Sequence, residues 1–358
     1  MNKPSPGNKP SAAAARFRTE AAKRILVTDG AWGTMIQTFG LAEADYAGTL
    51  GLSHEQKGNN DMLCLTRPDI IEKITQGYLD AGSDIVSTNT FSSTTISQAD
   101  YGAEHLVREL NLAAAGIARR AADAAQAKDG RPRFVAGALG PTNKTLSLSP
   151  DVNDPGFREV DYDQVKDVYT QQIQALLDGG VDFILIETIF DTLNAKAAIM
   201  AVLEESDRRG VEIPIMISMT ITDMSGRNLS GHAIDAFWWA VRHARPLTVG
   251  LNCSFGADLL RPHVQLLSGI ADTLLMSYPN AGLPNELGQY DELPARTGHL
   301  VEEWAKEGLI NVIGGCCGTT PAHIKAMADA VRGYPPRAVP VLPVATRLAG
   351  LDPMILAA

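Results

Sequence analysis

A regular alternation of short apolar runs with helical patterns is the feature that most constrains how this chain can fold. The runs are rich in Ile, Val, Leu or Phe and nearly continuous, which is typical of parallel strands that are buried on both faces. There are eight of them: Ile25–Thr28, Asp84–Ser87, Phe134–Ala138, Phe183–Ile186, Ile213–Met219, Leu247–Leu251, Thr273–Met276 and Leu309–Ile313.

Amphipathic helices are predicted between these runs. Ile70, Ile74 and Tyr78 recur at helical spacing, and Thr320 followed by Pro321 is the N-cap and first position of the last helix. Strands that alternate with helices in this way predict an α/β fold, a (β/α)₈ TIM barrel. A doubly wound open sheet is the alternative, but no glycine-rich dinucleotide fingerprint follows the first run.

Composition limits the class of protein. The chain has 358 residues, 45% of them hydrophobic, which is enough for a large core. Its 31 Lys and Arg against 41 Asp and Glu give a formal charge of −10, which argues against nucleic acid as the partner. No apolar run approaches the ~20 residues of a membrane span, and the N-terminus lacks a signal-peptide core, so we expect a cytoplasmic protein without membrane contact.

The chain ends differ in composition from the part between them. We expect residues 1–20 to be a disordered tail and residues 21–332 to form the barrel domain. Five prolines between residues 333 and 358 indicate an extended linker there: Pro335, Pro336, Pro340, Pro343 and Pro353.

Polar residues follow the predicted strands at the end where barrel active sites are built. Asp29 and Gly30 follow the first strand, Glu187 follows the fourth, and Asn252 follows the sixth. We therefore expect these side chains to share one rim of the barrel.

Three of the four cysteines fall on the same rim: Cys253 after strand six, and Cys316 with Cys317 after strand eight. Zinc takes thiolate ligands at tetrahedral positions, and a catalytic site leaves one position open. Three sulfurs therefore predict an open zinc site, although His299 could be a fourth ligand. One alternative is that these cysteines are free thiols in the core, which is how we interpret Cys64. The other is a redox dithiol, but the adjacent cysteines lack the Cys-X-X-Cys spacing of such sites.

A zinc ion with three thiolates has a formal charge of −1 and is suited to binding an incoming thiol, whose pKa it lowers. Carboxylates at the rim can pair with an ammonium group, and main-chain amides of glycine loops can hold a carboxylate. The residues therefore predict alkyl transfer to the thiol of an amino acid.

Several motifs resemble the homocysteine-binding module of cobalamin-dependent methionine synthase. They include Asp29–Thr34, Gly58–Asp61, Ser149–Phe157, Ile186–Lys196 and Gly314–Pro321, and the resemblance runs from about Arg24 to Val331. The cysteine motifs are similar to those of the betaine- and S-methylmethionine-dependent homocysteine methyltransferases as well.

The resemblance implies that a zinc-bound homocysteine thiolate takes the methyl group of methylcobalamin to give methionine. Cys253, Cys316 and Cys317 would be the catalytic zinc ligands, and Asp29 and Glu187 would contact the amino group of homocysteine. From their places on the rim, we expect Gly30 and Asn252 to contact the substrate as well. Folate and cobalamin would be carried by another polypeptide or by further modules, since residues 347–353 resemble the linker that opens the folate part. The alternatives are a stand-alone enzyme that uses S-methylmethionine or betaine, and a non-catalytic zinc- or thiol-binding module.

Overall fold

A closed ring of eight parallel strands forms the centre of the computed structural model, which describes residues 7–357. The strands are β1 (Leu26–Val27), β2 (Ile85–Ser87), β3 (Phe134–Leu139), β4 (Phe183–Ile189), β5 (Ile215–Met219), β6 (Thr248–Gly256), β7 (Leu274–Asn280) and β8 (Val312–Ile313). Each strand pairs with its neighbours in chain order, and β1 pairs with β8. A bridge between Thr28 and Ile85 joins β1 to β2 and closes the ring, so the barrel prediction is confirmed and the open sheet is excluded.

Helices surround the ring and cover its outer face. They are α1 (Ala12–Ala21), α2 (Gly33–Gln37), α3 (Glu43–Ala47), α4 (Leu63–Thr66), α5 (Pro68–Ala81), α6 (Thr95–Gln98), α7 (Val107–Asp129), α8 (Tyr162–Asp178), α9 (Thr192–Arg209), α10 (Ile234–Val241), α11 (Ala257–Ile270), α12 (Pro294–Lys306) and α13 (Pro321–Ala330). Short 3₁₀ turns lie at Asn60–Met62, Ala99–Tyr101, Glu104–Leu106 and Arg242–Ala244. Within residues 7–357, none of these helices is both long and apolar enough to cross a bilayer.

The expectation of a disordered tail over residues 1–20 is wrong from residue 12 onward. Ser11 caps α1 by accepting a hydrogen bond from the Ala14 N–H at 3.1 Å, and Phe17 is fully buried. The Phe17 ring lies 5.4 Å from that of Phe134 and 5.2 Å from that of Phe183, at the starts of β3 and β4. The helix therefore closes the N-terminal end of the barrel. Residues 1–6 lie outside the described part of the chain.

The proline-rich C-terminal segment is also more ordered than an extended linker. The Arg337 guanidinium is buried and donates hydrogen bonds to the carbonyls of Ser268, Ala271 and Thr273. Beyond it, β9 (Ala345–Ala349) and β10 (Pro353–Ala357) form an antiparallel hairpin. The hairpin packs on α10, where Arg347 stacks 4.9 Å from the centre of the Trp239 ring. The prediction of an extended linker is therefore wrong for Arg337 and for the hairpin. Both contact residues far away in the sequence, and local composition does not show such contacts.

Candidate functional site

Three cysteine sulfurs converge at the C-terminal rim of the barrel, as the sequence predicts. Cys253 lies in the last part of β6, and Cys316 and Cys317 lie in the loop after β8. Their sulfur atoms are all within 4.8 Å of one another, and Cys253 Sγ is 3.7 Å from Cys317 Sγ. His299 is not in this group, since it lies on α12 with its Nε2 3.6 Å from Glu303.

Two irregularities of the sheet turn the site residues into the barrel mouth. The pairing of β6 with β7 shifts register between Asn252 and Gly256, and the pairing of β4 with β5 shifts between Ile186 and Ile189. In these stretches Thr188 has φ 56° and Cys253 has φ 60°, values that non-glycine residues rarely adopt. Such strain persists where the surrounding structure enforces it, commonly at functional sites.

The loop that carries Cys316 and Cys317 lies tightly against β1 and β7. The Gly315 N–H donates to the Asp29 carbonyl at 3.0 Å, and the Cys316 N–H donates to the Pro279 carbonyl at 2.8 Å. A Cβ at Gly314 would lie 2.2 Å from the Thr28 methyl carbon, so only glycine permits this approach. The glycines of the motif therefore fix where both sulfurs point.

The three thiols shift one another's pKa values in opposite directions. Hydrogen bonds from Cys253 and Cys316 lower the pKa of Cys317 to about 3 despite its burial. The pKa of Cys253 is lowered by Cys316, but the Cys317 thiolate and burial outweigh this and raise it to about 11. Cys253 and Cys317 raise the pKa of Cys316 well above its ordinary value. The cluster therefore favours one thiolate, at Cys317, over two or three.

The spacing of the sulfurs fits a tetrahedral metal ion. Zinc–sulfur bonds of about 2.3 Å place two thiolates about 3.8 Å apart, close to the 3.7 Å between Cys253 and Cys317. The side-chain oxygen of Asn280, at the end of β7, is buried and has no hydrogen-bond donor among the described residues. A buried acceptor without a donor is costly, but Asn280 is not among the residues that line the cavity with the sulfurs.

Asp29 and Glu187 lie on the wall of the cavity that holds the sulfurs. Asp29 Oδ2 accepts hydrogen bonds from the N–H and the hydroxyl of Ser87 at 2.7 and 2.8 Å, and burial raises the pKa of Asp29 to about 6. The Tyr278 hydroxyl donates to Glu187 Oε2 at 3.3 Å. Burial and the charge of Asp29 raise the pKa of Glu187 to about 8.

Gly30 and Asn252 occupy different positions in the site. Gly30 lines the cavity, and a Cβ there would be 2.8 Å from the side chains of Tyr78 and Thr319. The Asn252 amide is buried and is used within the protein: Oδ1 accepts from the Thr188 N–H at 3.1 Å, and Nδ2 donates to Thr188 Oγ1 at 2.9 Å. Asn252 Nδ2 is also 3.8 Å from Cys316 Sγ.

Tyr278 and Thr188 line the cavity, but neither was predicted from the sequence to be a site residue. Tyr278 and Thr188 lie just beyond the predicted ends of strands seven and four, and both strands continue further than expected. A longer strand seven would have placed Tyr278 at the rim with the cysteines. No sequence signal connects Tyr290, in the loop after β7, with the cysteine loop, where it packs on Gly318.

The cavity has a volume of about 710 Å³ and opens at the C-terminal face of the barrel. The sulfurs, Asp29, Gly30 and Glu187 line one part of it. Asn60, Asp61 and Asn89 line another part. The cavity is thus large enough for an amino acid and part of a second reactant.

Comparisons with known proteins agree with this geometry. The family model for homocysteine S-methyltransferase matches residues 26–331. The chain has the fold of the homocysteine methyltransferase MmuM from Escherichia coli. Against its oxidized form the TM-score is 0.69 at 21% identity, over 88% of this chain and 99% of that one. The metallated form gives a TM-score of 0.68 at 21% identity over the same shares of both chains.

Proposed function

The chain belongs to the homocysteine S-methyltransferase family and is a methyltransferase, and from this premise we propose that it is the zinc-dependent, homocysteine-activating part of a cobalamin-dependent methionine synthase. Homocysteine is the substrate of the family. The observation that carries the proposal is the convergence of Cys253, Cys316 and Cys317 within 4.8 Å at the mouth of the barrel. The methyl donor would be methylcobalamin, delivered by another polypeptide or module together with folate.

Cys253, Cys316 and Cys317 would hold the metal and leave one position for the substrate sulfur. When bound, zinc would lower the pKa of the homocysteine thiol so that it is a nucleophilic thiolate near neutral pH. The protein would hold its three sulfurs on rigid elements, because β6 and the glycine loop after β8 fix their directions.

Asp29 and Glu187 would bind the ammonium group of homocysteine. Both carboxyl groups face the cavity, and burial raises the pKa of each, with no cation among the described residues to offset it. An ammonium group between them would supply that partner and favour their charged forms. Gly30 would contact the substrate through its main chain, which lines the cavity, while the absence of a Cβ lets the β1 loop pack against Tyr78 and Thr319.

Asn252 would position other groups besides contacting the substrate. Its amide is committed to Thr188, Ser218 and Cys316, and its side chain is buried. It would thereby hold the bulge of β4 next to Glu187 and orient one sulfur of the cluster. This is the arrangement expected of a residue that supports metal ligands from outside the coordination sphere.

A second candidate is a methyltransferase that takes its methyl group from S-methylmethionine or betaine. The observation that favours it is the set of buried carboxyl groups around one cavity, Asp29, Asp61 and Glu187, which would attract a cationic donor. No corrinoid would be needed in that case.

A donor panel on one zinc-analysed sample tests the proposal. The purified chain receives homocysteine with methylcobalamin, S-methylmethionine or betaine, one donor at a time, and methionine is measured. We expect product with methylcobalamin alone, loss of turnover in Cys316→Ala, and normal turnover in Cys64→Ala, whose sulfur is buried away from the cluster. Product from S-methylmethionine or betaine without corrinoid would support the second candidate, and an unchanged rate in Cys316→Ala would overturn both.

Zinc removal separates an enzyme from a zinc-stabilised binding module. A barrel with a core of this size should stay folded without the ion, so we expect the metal-free chain to keep its circular dichroism and lose only its turnover. A chain that unfolds when zinc is removed, and that transfers no methyl group when zinc is present, would be a structural zinc protein instead.

A further inference from the structure

Trp32 lies at the mouth of the barrel and donates a hydrogen bond to the residue that holds Asp29. Its side chain comes from the loop between β1 and α2, is half-buried and lines the same cavity as the sulfurs. The indole Nε1–H donates to the Ser87 hydroxyl at 2.9 Å, and this hydroxyl donates to Asp29 Oδ2 at 2.8 Å. The three side chains therefore form a chain of two hydrogen bonds that ends on a carboxyl group of the site.

The indole determines the direction of the hydrogen bonds in this chain. An indole nitrogen can only donate, whereas a serine hydroxyl can accept and has one proton to donate. Because Trp32 supplies the proton of the first hydrogen bond, the Ser87 hydroxyl keeps its own proton for Asp29. A hydroxyl that accepts a hydrogen bond is polarised by it, and this strengthens the hydrogen bond that the hydroxyl donates.

The Asp29 carboxyl group is held on both of its oxygen atoms. Oδ2 accepts from the N–H and the hydroxyl of Ser87 at 2.7 and 2.8 Å, and Oδ1 accepts from the Thr28 hydroxyl at 3.1 Å. By comparison, the hydrogen bond from Tyr278 to Glu187 is longer, at 3.3 Å. Asp29 is therefore the more firmly oriented of the two carboxyl groups, and Ser87 supplies its shortest hydrogen bonds.

Packing holds both ends of the contact between Trp32 and Ser87 in place. Ser87 is the last residue of β2 and is only 7% exposed. The Trp32 ring packs against the hydrophobic core of the barrel, so it cannot turn away from Ser87 without losing that contact. The indole N–H is thus a fixed donor on the wall of the cavity.

We propose that Trp32 is a positioning residue for recognition of the substrate's amino group, which it affects by orienting Asp29 through the Ser87 hydroxyl. The inference rests on the proposed function in that Asp29 is taken to bind the ammonium group of the substrate. A carboxyl group that is already oriented has less freedom to lose when the ligand binds, so the ligand binds more tightly. Because Trp32 acts through Asp29, its loss should weaken the binding of thiols that have an amino group and leave other thiols unaffected.

Binding of two thiols to the zinc-loaded chain tests this inference without a methyl donor. Homocysteine and 4-mercaptobutanoate differ only in the amino group, and their dissociation constants are measured by calorimetry with a phosphine as reductant, which is not itself a thiol. Trp32→Phe removes the indole N–H and keeps an aromatic ring against the core. The matched control is Trp239→Phe, since Trp239 is also half-buried against the core but does not line the cavity.

We expect the parent to prefer homocysteine, with the preference defined as the ratio of the two dissociation constants. In Trp32→Phe this preference should fall about 5-fold, which is typical of the loss of one hydrogen bond. The affinity for 4-mercaptobutanoate should stay that of the parent, and Trp239→Phe should keep the full preference. An unchanged preference in Trp32→Phe would overturn the inference, as would a variant that fails to fold, because the indole would then serve the fold.

Ser87→Ala tests whether the effect passes through the hydroxyl. This substitution should also reduce the preference for homocysteine, and adding Trp32→Phe to it should cause no further loss, because the connection to Asp29 is already broken. Additive losses would overturn the inference, as would a parent that binds both thiols equally. A parent that prefers homocysteine but is inactive with every donor would refute the proposed function and leave this inference standing.

Discussion

Glu187→Gln is the substitution whose effect follows most directly from the structure. Burial first, and then the charge of Asp29, raise the pKa of Glu187 from 4.5 to about 8. Between these two pH values the unfolded chain has lost the proton and the folded chain keeps it. The folded state then binds more protons, so the free energy of unfolding falls as the pH rises through this interval.

The interval from pH 4.5 to about 8 corresponds to a loss of at most about 5 kcal/mol in the free energy of unfolding. It is an upper bound because the carboxyl faces the cavity and keeps contact with water there. Glutamine has nearly the same shape, can still accept the hydrogen bond from Tyr278, and carries no proton to lose. The variant should therefore match the parent at low pH and exceed it increasingly up to pH 8.

Urea unfolding of the metal-free, reduced chain at a series of pH values from 4.5 to 8 measures this difference. Glu286→Gln is the control, since Glu286 is exposed at the tip of the β7–α12 loop and should leave the pH dependence unchanged. Parallel curves for the parent and Glu187→Gln across the whole series would refute the reasoning. So would a variant that is less stable than the parent at pH 8.

Two further predictions concern the closed end of the barrel and the sulfur cluster. Phe17→Ala should lower the free energy of unfolding, measured in urea titrations, by about 3–5 kcal/mol. The control is Phe157→Ala, at a side chain that is 44% exposed, which should change this free energy by no more than about 0.5 kcal/mol. Zinc binding at pH 7 should release about two protons, because the thiols of Cys253 and Cys316 keep their protons in the metal-free chain. Calorimetry in buffers of different ionisation enthalpy counts the released protons. A count near zero would contradict the thiol assignments.

The barrel could be predicted from the sequence because buried parallel strands leave a signal in every run. All eight predicted runs overlap strands of the structure, and the polar residues after them lie at one rim. The convergence of Cys253 with Cys316 and Cys317 followed from the order of strands six, seven and eight alone. This part of the site depends on topology, which the alternation of strands and helices determines.

The failures have a common physical cause, which is contact between distant parts of the chain. Phe17 is one aromatic residue in an alanine-rich segment, and its partners Phe134 and Phe183 are far along the chain. Arg337 is likewise predicted to be a surface residue, because it lies in a proline-rich segment. The carbonyl groups to which it donates hydrogen bonds belong to residues far away in the sequence. Asn252 stays a predicted substrate contact from its place after strand six, and nothing in the sequence indicates that its amide also hydrogen-bonds Thr188 and Ser218 on other strands.

The strained backbone connects these observations to function. Three of the four non-glycine residues with positive φ in residues 7–357 are at the site: Thr188, Cys253 and Ser254. Each such conformation costs about 1–3 kcal/mol, and a regular strand would avoid the cost. In a regular strand side chains alternate, so Glu187 follows Leu185 into the cavity, whereas Cys253 would face away from it because its neighbour Asn252 pairs with the cavity residue Tyr278. The irregularity of β6 gives up stability in a barrel with a large core, and in return it brings the Cys253 thiol into the cavity that Glu187 lines. Strain located at these residues is thus best explained by the chemistry of the site, since the fold itself does not require it.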